Sequence, residues 1–247
     1  MSVTSYKTVF RADYKPSLGF YPKLFPVAAE LSGYKDWVTT GLAVTLQNFD
    51  ERCSVSLAHN FFVYVRDMKR QDDAKFDNTM IQPVIENVPA RLGIDTFQRL
   101  GLRCWFLQAV KMQFEQLVFI VNDKFFLQTK DIKEGICRSP SDAAYAVHFN
   151  EAGFKVRLRV GPMKREEVEA QFLPDRNSNF AVRERALPSE ELFGDIPEVA
   201  LLMDIDISSI EIKSNEIAKF FENSQALQTK LSENIVKYVL GVPERGK

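Results

Sequence analysis

Val199-Ala200-Leu201-Leu202-Met203-Asp204-Ile205-Asp206-Ile207 is an apolar run that carries two carboxylates. Its short length and branched aliphatic residues read as a buried strand. Side chains alternate along an extended chain, so Asp204 and Asp206 project from one face, roughly 7 Å apart. A charged group in such a strand requires a cationic partner, a metal or a catalytic task.

The cationic partner is offered by a second strand-like run, Phe97-Gln98-Arg99-Leu100-Gly101-Leu102-Arg103-Cys104-Trp105. Alternation places Phe97, Arg99, Gly101, Arg103 and Trp105 on one face, with Leu100, Leu102, Cys104 and Phe106 on the other. On a strand buried on both sides the two guanidiniums need anions, and the aspartate pair supplies them. Arg99, Arg103, Asp204 and Asp206 are therefore expected to form a structural ion network. The competing assignment is a metal-dependent enzyme centred on Asp204 and Asp206. A metal there would draw on further ligands, and no histidine falls in this strand or the helix after it. No catalytic, cofactor-binding or metal residue is assigned, and no cofactor is expected.

Beyond the carboxylate strand, Ile217, Phe220, Phe221, Leu227, Leu231, Ile235 and Val239 form one helical stripe from Ser214 to Leu240, with Ser214 as its cap and Gly241 and Pro243 as its stop. Working towards the amino terminus, Phe154 to Val160 and Ala143 to Phe149 flank the turn Asn150-Glu151-Ala152-Gly153 as a hairpin. A charged helix follows over Lys164 to Phe172, then a polar loop from Pro174 to Pro197. In the first half, residues Tyr6 to Tyr14 alternate as a strand, and three short strands are expected at Leu42–Phe49, Cys53–Ala58 and Phe61–Val65. Arg66 to Lys75 reads as an exposed loop. Apolar residues from Phe76 to Leu92 recur at helical spacing, with Pro83 marking a kink or a late start, and Phe114 to Leu127 is long enough to favour helix. Both halves run hairpin, helix or loop, strand, helix. The expected fold is α+β: two related lobes of small antiparallel sheets with packed helices, over residues 1–135 and 136–247, joined through the central strands.

Inward-facing Phe154, Val156, Leu158 and Val160 turn Lys155, Arg157 and Arg159 outward on consecutive same-face positions, with His148 beside them. Such a row is a candidate phosphate contact. Lys164 and Arg165 follow it, but so do Glu166, Glu167 and Glu169, as on an ordinary solvated face. The formal net charge of −1 gives no global field for nucleic acid or membrane, so any such binding is local. Cys53, Cys104 and Cys137 are widely spaced, which argues against a disulfide framework. His59 and His148 have no metal-site spacing. Neither a phosphate loop, nor a dinucleotide glycine fingerprint, nor a Gly-x-Ser-x-Gly elbow occurs. Phe61, Phe62, Phe125 and Phe126 are candidates for a partner groove or ligand cavity among twenty phenylalanines. The first residues lack the pattern of a secretory signal, and no apolar run reaches the roughly 18 residues of a spanning helix, so a cytoplasmic protein without membrane contact is expected.

Through Arg99-Leu100-Gly101-Leu102-Arg103 and Leu201-Leu202-Met203-Asp204-Ile205-Asp206, the chain resembles a sporadically distributed family of uncharacterised bacterial proteins of about this length. Its members share an Arg-x-Gly-x-Arg strand after a helix, and a late Asp-x-Asp strand before a long terminal helix. The likeness spans about Cys53 to Leu240. Cys104-Trp105 stands where an aromatic and a polar residue are more usual. The resemblance implies a bacterial or phage setting and adds no catalytic residue. The missing catalytic sets and the many aromatics point to a non-catalytic protein-binding or assembly module, an accessory component of a bacterial multi-gene system with a protein partner. Nucleic-acid binding through Lys155, Arg157 and Arg159 is the alternative.

Overall fold

The computed structural model describes residues 3–17, 19–40, 43–67, 78–126, 140–172 and 196–241. In chain order the elements are β1 (Thr4–Tyr14), α1 (Phe20–Glu30), β2 (Asp36–Thr40), β3 (Ala43–Asn48), β4 (Cys53–Ala58), β5 (Phe61–Asp67), α2 (Gln82–Leu92), β6 (Thr96–Ala109), α3 (Phe114–Phe126), β7 (Tyr145–Glu151), β8 (Phe154–Lys164), α4 (Arg165–Phe172), β9 (Val199–Lys213) and α5 (Ile217–Leu240). The fold is α+β, built on one antiparallel sheet of nine strands in the order β2-β3-β4-β5-β1-β6-β9-β8-β7.

The expected resemblance between halves is present as topology. Outward from the central β1–β6 pair the sheet reads β1, β5, β4, β3 on one side and β6, β9, β8, β7 on the other. In each unit the first strand is followed by a helix, then three further strands of the shared order, then a closing helix. β2 is an addition to the first unit and α4 to the second. What the sequence divides into two small sheets is thus continuous, because β1 and β6 pair from Thr4↔Leu107 to Tyr14↔Phe97. By topology β6 leads the second unit as β1 leads the first.

One face of the sheet is dry. Phe10, Val55, Leu57, Phe62, Leu100, Leu102, Leu201, Met203, Ile205 and Ile207 are fully buried there under α1, α2, α3 and α5. Phe10 meets Phe221 edge-on at 5.3 Å between ring centroids and Phe62 at 6.1 Å. The helix α5 is pinned to the sheet by a polar contact inside this apolar layer. Gln228, 1% exposed, donates from Nε2 to the carbonyls of Leu102 (2.9 Å) and Ile205 (3.0 Å), bridging β6 and β9. Burying that amide is tolerable because its donors are satisfied.

Several local expectations are corrected. Ser214 does not cap α5 through its side chain; it opens a 3₁₀ turn, Ser214–Glu216, and its backbone N–H donates to the Asp95 carbonyl at 2.9 Å. Pro83 lies in the first turn of α2, where its missing N–H costs nothing, so the helix starts late instead of kinking there. The strand β2 has no counterpart in the sequence reading, and β5 runs on to Asp67 into the expected loop. Most of that loop, the Pro174–Pro197 loop up to residue 195, and Cys137 lie outside the described residues. Gly93 and Gly241 end α2 and α5 at φ 72° and 61°, values that a side chain disfavours. The β7–β8 hairpin turns through Ala152 and Gly153, both at positive φ, as the right-handed twist of a two-residue connection requires.

Candidate functional site

The second face of the sheet carries the sequence's charged positions. Among the described residues α4 is the one helix on this face, and it covers only an end, through Val168 packed with Tyr6, Leu107, Ile196, Ala200 and Leu202. Beyond that cover the strands present two register rows. One runs Val9, Arg103, Asp206, Arg157, His148 across β1, β6, β9, β8 and β7. The next runs Lys7, Trp105, Asp204, Arg159, Ala146. Residues directly opposite in such rows have Cβ atoms about 5 Å apart, so opposite charges placed there interact.

Asp204 is held by Arg103 in a two-pronged contact, Nε to Oδ1 at 2.8 Å and Nη2 to Oδ2 at 2.7 Å. The same guanidinium lies over the Trp105 ring at 4.3 Å. Planar, forked donors suit both partners at once. The hydrogen bonds to Asp204 hold the Arg103 pKa above its ordinary value, against the opposing effect of burial. Arg99 is placed less tightly, its Nη2 3.8 Å from Asp206 and its Nη1 4.0 Å from Asp13. Asp13 also binds Arg11 at 2.8 Å.

Gly101 explains why the arginines are spaced by a glycine: a Cβ built on it would lie 3.3 Å from Arg99 Nη2, so the guanidinium rests across a bare backbone on its way to Asp206. Asp206 lies opposite Arg103 on one side and Arg157 on the other. Burial raises its pKa, while Arg99, Arg103 and Arg157 pull the other way.

The depth of this network differs from the expectation. Side-chain exposures of 41% for Arg99 and 37% for Arg103, against 24% for Asp206 and 8% for Asp204, place the cations at a wet surface with one carboxylate beneath them. The strands are helix-covered on one face only, which the long apolar run of β9 concealed. Phe97 also departs from strict alternation. Pairing skips Gln98 opposite Glu211, a non-glycine residue at φ 56°, and the strands change face there. Phe97 therefore packs at 6.0 Å from Phe62 in the dry core instead of beside Arg99.

Lys155, Arg157 and Arg159 are exposed on this same face, with His148 opposite Arg157. Among the described residues no ion pair engages them: Arg103 has taken both oxygens of Asp204, the carboxylate opposite Arg159, Asp206 opposite Arg157 pairs with Arg99 at 3.8 Å, and Lys155 lies opposite Ser208. Lys164 and Arg165 do not join the row. Lys164 lies over the Phe114 ring at 4.6 Å, and Arg165 binds Glu169 and Glu198. The two topological units differ sharply here: where β8 and β9 carry Arg157, Arg159, Asp204 and Asp206 on the open face, β4 and β5 of the first unit carry Ser54, Ser56, Val63 and Val65. The shared fold is thus compatible with uncharged residues at these positions.

The remaining candidates are scattered. Cys53 and Cys104 are buried free thiols, both pushed up to about 12 by burial. Phe62 is core, Phe61 lies under Arg11 at 4.6 Å, and Phe125 stacks on Tyr145 at 4.4 Å, so they line no common groove; the Phe126 side chain lies outside the described residues. His59 stands at the β4–β5 turn. Among the described residues no group of three or more His, Cys, Asp or Glu side chains converges as a metal site would. No described helix is long and apolar enough to cross a membrane. Sequence reading missed Arg11, Asp13 and the role of Gly101, although the alternation of Lys7, Val9, Arg11 and Asp13 along β1 was there to be matched to β6. Chemically, the face offers fixed guanidiniums and unpaired cations, a surface suited to anions. No known protein family matches the chain, and no curated protein is similar to it.

Proposed function

We propose that this chain is a non-catalytic binding module whose open sheet face holds a nucleic acid by its phosphates. The observation that carries the reading is the row Lys155, Arg157 and Arg159, exposed and engaged in no ion pair among the described residues, on a strand whose counterpart in the other unit, β4, carries Ser54 and Ser56. Long cations spaced roughly 7 Å apart along a rigid strand meet successive phosphates without reorganising the backbone. Neighbouring Arg103 and Arg99 extend the positive surface across β6. Bulk charge is near neutral, so the attraction is confined to this face and is strongly salt-dependent.

The test is charge reversal at all three positions, Lys155→Glu, Arg157→Glu and Arg159→Glu, read by fluorescence anisotropy with labelled single-stranded and duplex oligonucleotides. The wild type is expected to lose affinity with salt at a log–log slope of about −2 on single strands, three contacts at about −0.7 each. The triple variant should keep its melting temperature and lose this binding. Equal retention of both proteins on both nucleic acids removes the reading.

A second reading, an assembly module with a protein partner in a bacterial multi-gene system, is favoured by one specific feature. Phe25 and Trp37, 53% and 60% exposed, stack edge-on at 6.4 Å beside β2, which among the described residues ends the sheet with one side unpaired. Exposed aromatics at an open strand edge suit strand addition by a partner. Co-purification with products of adjacent genes, lost on Trp37→Ser, tests it.

A further inference from the structure

We infer that Asp206 is an internal stand-in for phosphate: it occupies the space between Arg99, Arg103 and Arg157, and a phosphate of the bound strand displaces it. This rests on the nucleic-acid reading above and assigns a competitor within that site.

Asp206 is unlike Asp204. The Asp204 carboxylate has both oxygens committed to one guanidinium at hydrogen-bond distance. Asp206 has no such bond; its nearest cation nitrogen is 3.8 Å away, while two further guanidiniums stand opposite it on the flanking strands. One carboxylate therefore faces three arginines, of which Arg103 is held by Asp204 and the other two donate no hydrogen bond to Asp206. A phosphate oxygen cluster, with more acceptors and more charge, satisfies several forked donors together.

Arg99 is the loosely held member. It is shared between Asp206 and Asp13 at the limit of ion-pair distance, is 41% exposed, and lies over Gly101 with no side chain to wedge it in place. Arg157 is exposed and stands opposite Asp206 without an ion pair to it. Binding then exchanges weak internal pairs for contacts to the ligand, so Asp206 lowers affinity while keeping the arginines gathered on the sheet when the face is empty.

The experiment compares wild type, Asp206→Asn, Asp67→Asn and Asp206→Ser by anisotropy with a labelled single-stranded oligothymidylate of about 20 nucleotides. Asp67 lies on the same face and pairs with Lys7 at 3.2 Å, so its variant measures what the loss of one negative charge and the release of one cation do away from Arg99, Arg103 and Arg157. Asp206→Asn is expected to tighten binding roughly two- to fivefold, the worth of a half-exposed ion pair, and more than Asp67→Asn. Asp206→Ser, which removes the same carboxylate with a smaller side chain, is expected to tighten binding as well and serves if Asp206→Asn fails to fold. Equal effects of Asp206→Asn and Asp67→Asn, or weaker binding in Asp206→Asn or Asp206→Ser, overturn the inference while leaving the nucleic-acid reading intact. No binding by the wild type overturns that reading, and the inference with it.

Discussion

Asp204→Ala is the sharpest probe of the sheet's charged face. The substitution removes a carboxylate that is 8% exposed and leaves Arg103, 37% exposed, without its two-pronged partner. Exposed ion pairs contribute up to about 1 kcal/mol, and breaking a fully buried pair from one side costs about 3–5 kcal/mol. The contact is between these limits, because the buried half is deleted and the surviving guanidinium reaches water and keeps its stacking on Trp105. Two hydrogen bonds to a charged group are involved, and a loss of about 2 kcal/mol follows. For a chain of this length each kcal/mol moves the melting temperature by about 2–4 °C, so the midpoint should fall by about 4–8 °C in scanning calorimetry at neutral pH. A double-mutant cycle with Arg103→Met isolates the pair and should return a coupling energy of about 1.5 kcal/mol. A coupling within about 0.3 kcal/mol of zero refutes the claim that this contact adds stability beyond the backbone pairing of β6 with β9.

Two further outcomes follow from the geometry. Because burial pushes the thiols of Cys53 and Cys104 up to about 12, neither forms appreciable thiolate near pH 8, and peptide-level mass spectrometry after iodoacetamide treatment should find both unmodified until the protein is unfolded; labelling of the folded protein at the rate of a free thiol contradicts their placement. Ala152 adopts φ 51° in the turn before Gly153, a conformation asparagine tolerates better, so Ala152→Asn should raise stability by about 0.5–1 kcal/mol in urea titration. A loss of stability there means that the turn has another shape.

How much of this was legible in the chain depends on range. The β7–β8 hairpin, α5 and the start of β9 are encoded locally, in the turn residues Ala152 and Gly153 and in stripes of one period, and their ends fall within a few residues of the expected ones, whereas β9 runs on from Ile207 to Lys213. The link between the Arg99–Arg103 and Asp204–Asp206 segments was also readable, since buried charges demand partners and few were on offer. The joining of both halves through β1 and β6 was not, because pairing between strands some ninety residues apart leaves no local mark. Nor was the wet face of β9. Its apolar run satisfies a core on one side and the small cluster under α4 on the other, and the open stretch between them shows only as the two aspartates. Phe97 was misplaced for a backbone reason: alternation holds only while every residue pairs, and Glu211 at φ 56° interrupts it.

Position 101 shows how a charged surface is steered by what is missing from it. The absent methyl group leaves a trough in which a neighbouring side chain lies flat, its terminal nitrogen 3.3 Å from where the methyl carbon would stand. A side chain at that single point would move the cation by a few tenths of an ångström with no ionisable residue altered, a change that sequence comparison by charge alone would score as nothing.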